Sequence, residues 1–326
     1  MVCGTKPLHD TAIRADMMGV SASSVDHGHM NTTPEQSSLP DGVTYEGGDA
    51  PRLVIDTPAA RGEIHLDGAQ VTRWAPAGAD EVLWVSALTR SGEGIAVRGG
   101  VPICAPWFAT GRAKNRSPQH GFLRLVRWSL TETRRVGDDV TVVLTAPDLA
   151  SLEDVPGLDQ TPSDLTATYE VTMGRTLRMS LTITSPTQKL ELEEALHTYL
   201  RVSDVTQARV EGLDGARYAD KAPGGRAVNA QQGDVTFMRE TDRVYASTET
   251  VTLVDGERRV VVEKSGSAST VVWNPWERKA AEISDFGDDE WPGMVCIETA
   301  NALAGHIKLE PGQSHTMTAE ISLQNA

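Results

Sequence analysis

The chain has 326 residues, enough for one large β domain or two small ones, and its formal net charge of −15 argues against a nucleic acid or an anionic membrane as main partner. Cys3, Cys104 and Cys296 are odd in number and far apart, which argues against a disulfide framework and a structural zinc site and favours a reducing compartment. No apolar run approaches the roughly 20 residues that cross a bilayer, and the N-terminus lacks a signal-peptide pattern, so the expected setting is the cytoplasm.

Residues 1–48 read as a poorly ordered tail, rich in Ser, Thr, Asp, Gly, Met and His, without strand or helix periodicity. His27-Gly28-His29 could chelate a metal only weakly. Residues 49–326 read as a single domain. Within it, short β-rich runs recur at 52–56, 63–66, 81–85, 125–133, 140–145, 165–173, 176–184 and 189–201. More follow at 235–239, 250–254, 258–264, 268–273, 294–299, 306–309 and 315–323. Asp255-Gly256, between two Val-rich runs, is a two-residue hairpin signal. Helical periodicity is scarce, and 147–164 is a polar loop broken by Pro and Gly. Many short, closely spaced strands predict an all-β sandwich or barrel.

Several stretches carry candidate chemistry. In the run ending Glu193-Glu194-Ala195-Leu196-His197-Thr198-Tyr199-Leu200, strand alternation puts His197 and Tyr199 on one face and Leu196, Thr198 and Leu200 on the other. Glu193 falls on the face of His197 and is expected to raise its pKa. About a hundred residues later, Glu298 lies inside Val-Cys-Ile-Glu-Thr-Ala, where an unpartnered carboxylate is costly to bury. The two could converge as an acid/base pair. Alternatively, His197 is a hydrogen-bonded core residue and Glu298 half of a buried ion pair.

The segment from Arg98 to Arg135 reverses the charge of the chain: Arg98, Arg112, Lys114, Arg116, Arg124, Arg127, Arg134 and Arg135 face one acid, Glu132. At least two of these arginines are expected to hold an anion, because guanidinium forks match phosphate oxygens. Arg98-Gly99-Gly100-Val101-Pro102 is stiff enough to aim Arg98. Gln119 suits a sugar hydroxyl and His120 could line a pocket. Asp242 could accept from a hydroxyl or pair with Arg243. Trp273 or Trp276 could stack on a sugar or fill a core.

Together these blocks resemble the glucose-6-phosphate 1-epimerases of the aldose 1-epimerase superfamily. The resemblance covers about residues 50–326 and rests on Arg98–Pro102, Gln119–Arg124, Ala195–Tyr199, Gly212–Gly215 with Tyr218 and Asp220, Thr241–Tyr245, Val272–Trp276 and Cys296–Asn301. It departs at Leu200, where such proteins often have Phe. The resemblance implies a large antiparallel β-supersandwich with a concave sugar-binding face. It implies His197 and Glu298 as catalytic pair and Arg98, Gln119, His120, Arg124 and Asp242 as substrate contacts. The expected reaction is exchange of the α and β anomers of an aldohexose 6-phosphate by a monomer, without metal or cofactor. The alternatives are a non-catalytic sugar-phosphate sensor and an epimerase of unphosphorylated aldoses.

Overall fold

The computed structural model describes residues 38–226 and 228–324, which are built mainly from antiparallel strands. One large sheet has nine strands. In spatial order they are Val235–Thr236, Arg209–Glu211, Val251–Asp255, Arg258–Ser265, Gln313–Gln324, Thr176–Ser185, Thr166–Met173, Asp139–Thr145 and Ser129–Val136. The other has eight: Asn229–Ala230, Arg217–Asp220, Thr241–Ala246, Ser269–Asn274, Met294–Asn301, Glu194–Leu196 and Ile103–Cys104, with Tyr199–Arg201 also on Met294–Asn301. A four-stranded sheet (Val43–Glu46, Arg52–Asp56, Ala60–His65, Val71–Pro76) and the pair Leu190–Leu192 with Ile307–Leu309 complete it.

Alternation builds the core. Thr176–Ser185 buries Leu177, Met179, Leu181 and Ile183, which join Leu196, Leu200, Val272, Val295 and Ile297 of the eight-stranded sheet in one apolar cluster. The outer face of the nine-stranded sheet is polar. Hydroxyl pairs Ser180–Thr318 (2.9 Å), Thr182–Thr316 (2.8 Å) and Thr184–Ser314 (2.8 Å) ladder across it. The outer face of the eight-stranded sheet carries the site described below.

Some expectations need correction. Val43–Glu46, placed in the tail, is a strand: Val43 is buried and the segment pairs with Arg52–Asp56, so pairing begins before residue 49. Residues 1–37, with His27 and His29, lie outside the described residues. The run at 189–201 divides into three short strands. The run at 81–85 makes only isolated bridges, Leu83 to Leu200 and Val85 to Gly99. The hairpin turn sits one residue later than expected: Asp255 pairs with Arg258, leaving Gly256 and Glu257 as the turn, with Gly256 at φ +61°. Among the described residues no helix is long and apolar enough to cross a membrane.

Candidate active site

The register of the eight-stranded sheet places the chemistry. Leu196 pairs with Thr299 and Tyr199 with Cys296, and continuing that register sets His197 opposite Glu298. Directly paired residues in an antiparallel sheet share a face. One row therefore runs Asp242, Trp273, Cys296, Tyr199 across neighbouring strands, all toward the outer face. Leu196, Leu200, Val295 and Ile297 point the other way into the core. The chain slackens between Leu196 and Tyr199. There His197 N–H donates to Pro102 O at 3.0 Å and Thr198 N–H to Leu196 O at 2.8 Å.

Two loops complete the site. Gly99 (φ +131°) and Gly100 (φ +59°) cross so close to neighbouring backbone that a Cβ on either would fall 2.4 Å from Trp84 O or 2.2 Å from Val71 O. That approach seats Arg98 at the sheet edge. On the second loop His120 is left-handed, at φ +65°. Its Nδ1 accepts from Ala109 N–H at 3.3 Å, and Arg124 Nη2 donates to Gln119 O at 2.7 Å. Burial, aided by Arg124, holds the His120 imidazole well below its usual pKa. Neutral, with Nδ1 accepting, it carries its hydrogen on Nε2 as a donor.

A cavity of about 290 Å³ brings together His197, Glu298, Arg98, Gln119, His120, Arg124 and Asp242. Asp242 meets Lys221 (3.4 Å) rather than Arg243, whose neighbours are Asp220 and Tyr245. Tyr199, Trp273, Phe108, Lys221 and Lys279 also line the cavity. Alternation with His197 pointed to Tyr199, and Lys221 adjoins Asp220, one of the motif residues. Nothing local marks Lys279, which lies on the short helix Trp276–Ala281. Six of the eight cations from Arg98 to Arg135 do not line it. Arg112 pairs with Glu191, Arg127 with Asp67, Arg134 with Glu132 and Glu170, and Arg135 with Asp138. Arg116 donates to Gln160 O, and Lys114 is exposed.

Charge balance inside the cavity is uneven. Arg98 is paired with Asp285 (3.1 Å), Lys221 with Asp242 and Lys279 with Glu282 (3.0 Å). Among the described residues no carboxylate pairs with Arg124, whose Nε is buried without a hydrogen-bond partner. Arg124 is thus the cation whose charge is least offset. Among the described residues no three His, Cys, Asp or Glu side chains are grouped so as to hold a metal ion.

His197 Nε2 lies 3.4 Å from Glu298 Oε1, and the imidazole stacks on Tyr199 at 4.9 Å between centroids. Burial and then the Arg124 and Arg98 guanidiniums push the His197 pKa down to about 3. This overturns the expectation that Glu193 raises it. Glu193 accepts from Leu303 N–H, and Glu194 binds Asn301 and His315, so both carboxylates are engaged elsewhere. Burial holds the Glu298 carboxyl well above its usual range, with Asp242 adding and Lys221 opposing. Burial thus disfavours charge on both members of the pair. His197 Nδ1 and Glu298 Oε2 are both buried without hydrogen-bond partners.

Two packed antiparallel sheets, with an imidazole and a carboxyl in contact in a small polar cavity, are the arrangement of a β-sandwich of the mutarotase type. The chain belongs to the aldose 1-epimerase family, whose sequence pattern matches residues 51–322. It is 33% identical over 253 residues to an Escherichia coli protein named "Putative glucose-6-phosphate 1-epimerase", covering 77% of this chain and 83% of the other. A protein of the same name from Cenchrus ciliaris is 33% identical over 259 residues, covering 77% and 78%. A Salmonella typhimurium crystal structure, described as a "putative mutarotase", superposes with a TM-score of 0.78 at 28% identity, covering 88% of this chain and 95% of that one. Galactose 1-epimerase from Lactobacillus acidophilus shares the fold, with a TM-score of 0.64 at 12% identity over 89% of this chain and all of that one (100%). The fold is thus galactose mutarotase-like.

Proposed function

We propose that this protein interconverts the α and β anomers of D-glucose 6-phosphate, and of related aldohexose 6-phosphates, by opening and closing the ring. Glu298 acts as the base at O1 and His197 as the acid at O5. The observation that carries the reading is the His197–Glu298 pair, 3.4 Å apart, in a cavity also lined by Arg98 and Arg124. The names of the Escherichia coli and Cenchrus ciliaris relatives support it.

A phosphate dianion seated against Arg98 and Arg124 cancels the cationic field that helps hold His197 neutral. The reactive form of the pair is carboxylate and imidazolium, reached by passing one proton from Glu298 to His197 without changing the proton count. Glu298 takes the O1 hydrogen, C1=O1 forms, the C1–O5 bond breaks, and His197 protonates O5. Opening returns the pair to neutral imidazole and neutral acid, the form that burial favours. Rotation about C1–C2 followed by the reverse transfers yields the other anomer. His120 Nε2–H and Gln119 serve the sugar oxygens, and the arginines hold the remote phosphate while C1 turns. The C1–O5 bond opens and recloses with proton transfer and no net redox change, so the reaction needs no cofactor. The protein acts as a monomer in the cytoplasm, where Cys104 and Cys296, both free and buried, suit a reducing environment.

NMR exchange between the C1 protons of the anomers tests this directly. Glucose 6-phosphate should exchange far above its spontaneous rate and free glucose much less. Binding without faster exchange would replace the enzyme by a sensor. Equal acceleration of both sugars would remove the phosphate from the reading.

A further inference from the structure

We propose that Asp285 is a positioning residue that turns the Arg98 fork toward the ligand's phosphate and so helps the site discriminate in favour of phosphorylated sugars. The inference rests on reading the cavity as a sugar-phosphate site. A guanidinium has five N–H donors in a rigid plane. Here Nε and Nη2 both meet Asp285 Oδ1, each at 3.1 Å, and Nη1 donates to Tyr199 Oη at 3.1 Å. The Nε–Nη2 edge is taken. What remains for a ligand is the Nη1–Nη2 end, with one hydrogen free on each nitrogen. Two parallel donors of that kind suit two phosphate oxygens.

Both holders of Arg98 lean on one ring. Trp84 stacks on Tyr199 (5.7 Å between centroids, 19° between planes) and packs against Phe286, the neighbour of Asp285, at 4.9 Å. Glu290 fastens the same loop. Its Oε2 accepts from Ser86 Oγ (2.6 Å) and Gly287 N–H (2.8 Å), and its Oε1 from Ala87 N–H (2.7 Å). Ser86 N–H in turn donates to Arg98 O at 2.9 Å. Arg98 and its counter-ion are thus held by one frame.

The pair is mostly buried, at 21% exposure for Asp285 and 27% for Arg98, so it fixes the guanidinium as well as stabilising it. A carboxylate also offsets charge that an anion site would otherwise use. Orientation is the gain that fits: Arg98 is long and flexible, and its one useful end must face the cavity.

The test compares Asp285→Ala and Asp285→Asn in the native background and Asp285→Ala in the Arg98→Ala background. It reads the Kd for inorganic phosphate and the kcat and KM for glucose 6-phosphate exchange. Asp285→Ala should weaken phosphate binding and raise KM about tenfold, with kcat within about threefold and free glucose unaffected. Asp285→Asn keeps an acceptor oxygen and should recover most of the loss. With Arg98 already removed, deleting Asp285 should do nothing more. Tighter or unchanged phosphate binding in Asp285→Ala, or a loss that adds to that of Arg98→Ala, would overturn the assignment. If the native protein shows no exchange but phosphate binding follows the expected pattern, the epimerase reading falls and the role of Asp285 stands.

Discussion

Replacing Glu298 by Gln probes the one-proton pair in two independent ways. Glu298 is 1% exposed, and burial disfavours charge on it and on His197, so the expected resting pair is a neutral acid beside a neutral imidazole. Gln has nearly its shape and the same charge, so folding should change by less than about 1 kcal/mol. Were the resting pair an ionised salt bridge, removing one charge would cost about 3–5 kcal/mol. At roughly 2–4 °C per kcal/mol for a domain of this order, the two cases differ by about 6–20 °C in melting temperature. Activity should respond in the opposite sense. Gln cannot accept the O1 proton, and a positioned base is worth about a hundred- to ten-thousand-fold. The expected outcome is a melting temperature within a few degrees of the native protein and anomer exchange reduced at least about a hundredfold. A large drop in melting temperature would refute the neutral resting state, and near-native exchange would refute Glu298 as base.

His197→Ala should likewise abolish most exchange of glucose 6-phosphate by NMR while the fold survives; retention of more than about a tenth of the rate would remove His197 from the chemistry. Arg124→Ala and Arg98→Ala should raise KM for glucose 6-phosphate by about 10–100-fold with little effect on free glucose, Arg124 more strongly because among the described residues no carboxylate pairs with it; equal losses on both sugars would dismiss the phosphate site. Burial raises the Glu194 pKa to about 8, although the Asn301 hydrogen bond opposes it. A folded pKa above the unfolded one means stability fully present below the unfolded value and lost as pH rises through about 8, on the order of 3–5 kcal/mol. Glu194→Gln should therefore melt with the native protein near about pH 5 and above it near about pH 9; parallel melting curves at both would show that Glu194 does not titrate in this range.

The sequence made strands legible where one face is core and the other water. The runs at 52–56 and 176–184 alternate cleanly and lie within a residue of the observed strands. Thr241–Ala246 escaped notice because its outer face carries Asp242 into the cavity rather than a regular polar pattern. Val71–Pro76 is buried on both faces apart from Arg73, so it shows no alternation at all. His197 and Glu298 stood out because a titratable group in an apolar strand needs a reason. Their register did not, since it depends on pairing between segments a hundred residues apart. Asp285 gave no local sign. Its meaning appears only when the loop folds back against Arg98, 187 positions away. Net charge over a stretch does not tell which of its arginines reach the cavity, for a related reason: the partners of Arg112 and Arg127, namely Glu191 and Asp67, lie outside that stretch.

The unpartnered atoms at the centre of the site bear on the choice between enzyme and sensor. Glu298 Oε2, His197 Nδ1 and Arg124 Nε are each buried without a hydrogen-bond partner among the described residues. A protein that only holds a sugar phosphate needs donors and acceptors at its hydroxyls and cations at its phosphate. Gln119, His120, Asp242, Arg98 and Arg124 line the cavity with groups of that kind. It gains nothing from a carboxyl and an imidazole in contact in the same cavity. Ring opening does: it needs a base and an acid that exchange one proton through the substrate and end neutral. The buried pair is therefore poorly matched to binding and well matched to a reaction whose open-chain state restores it.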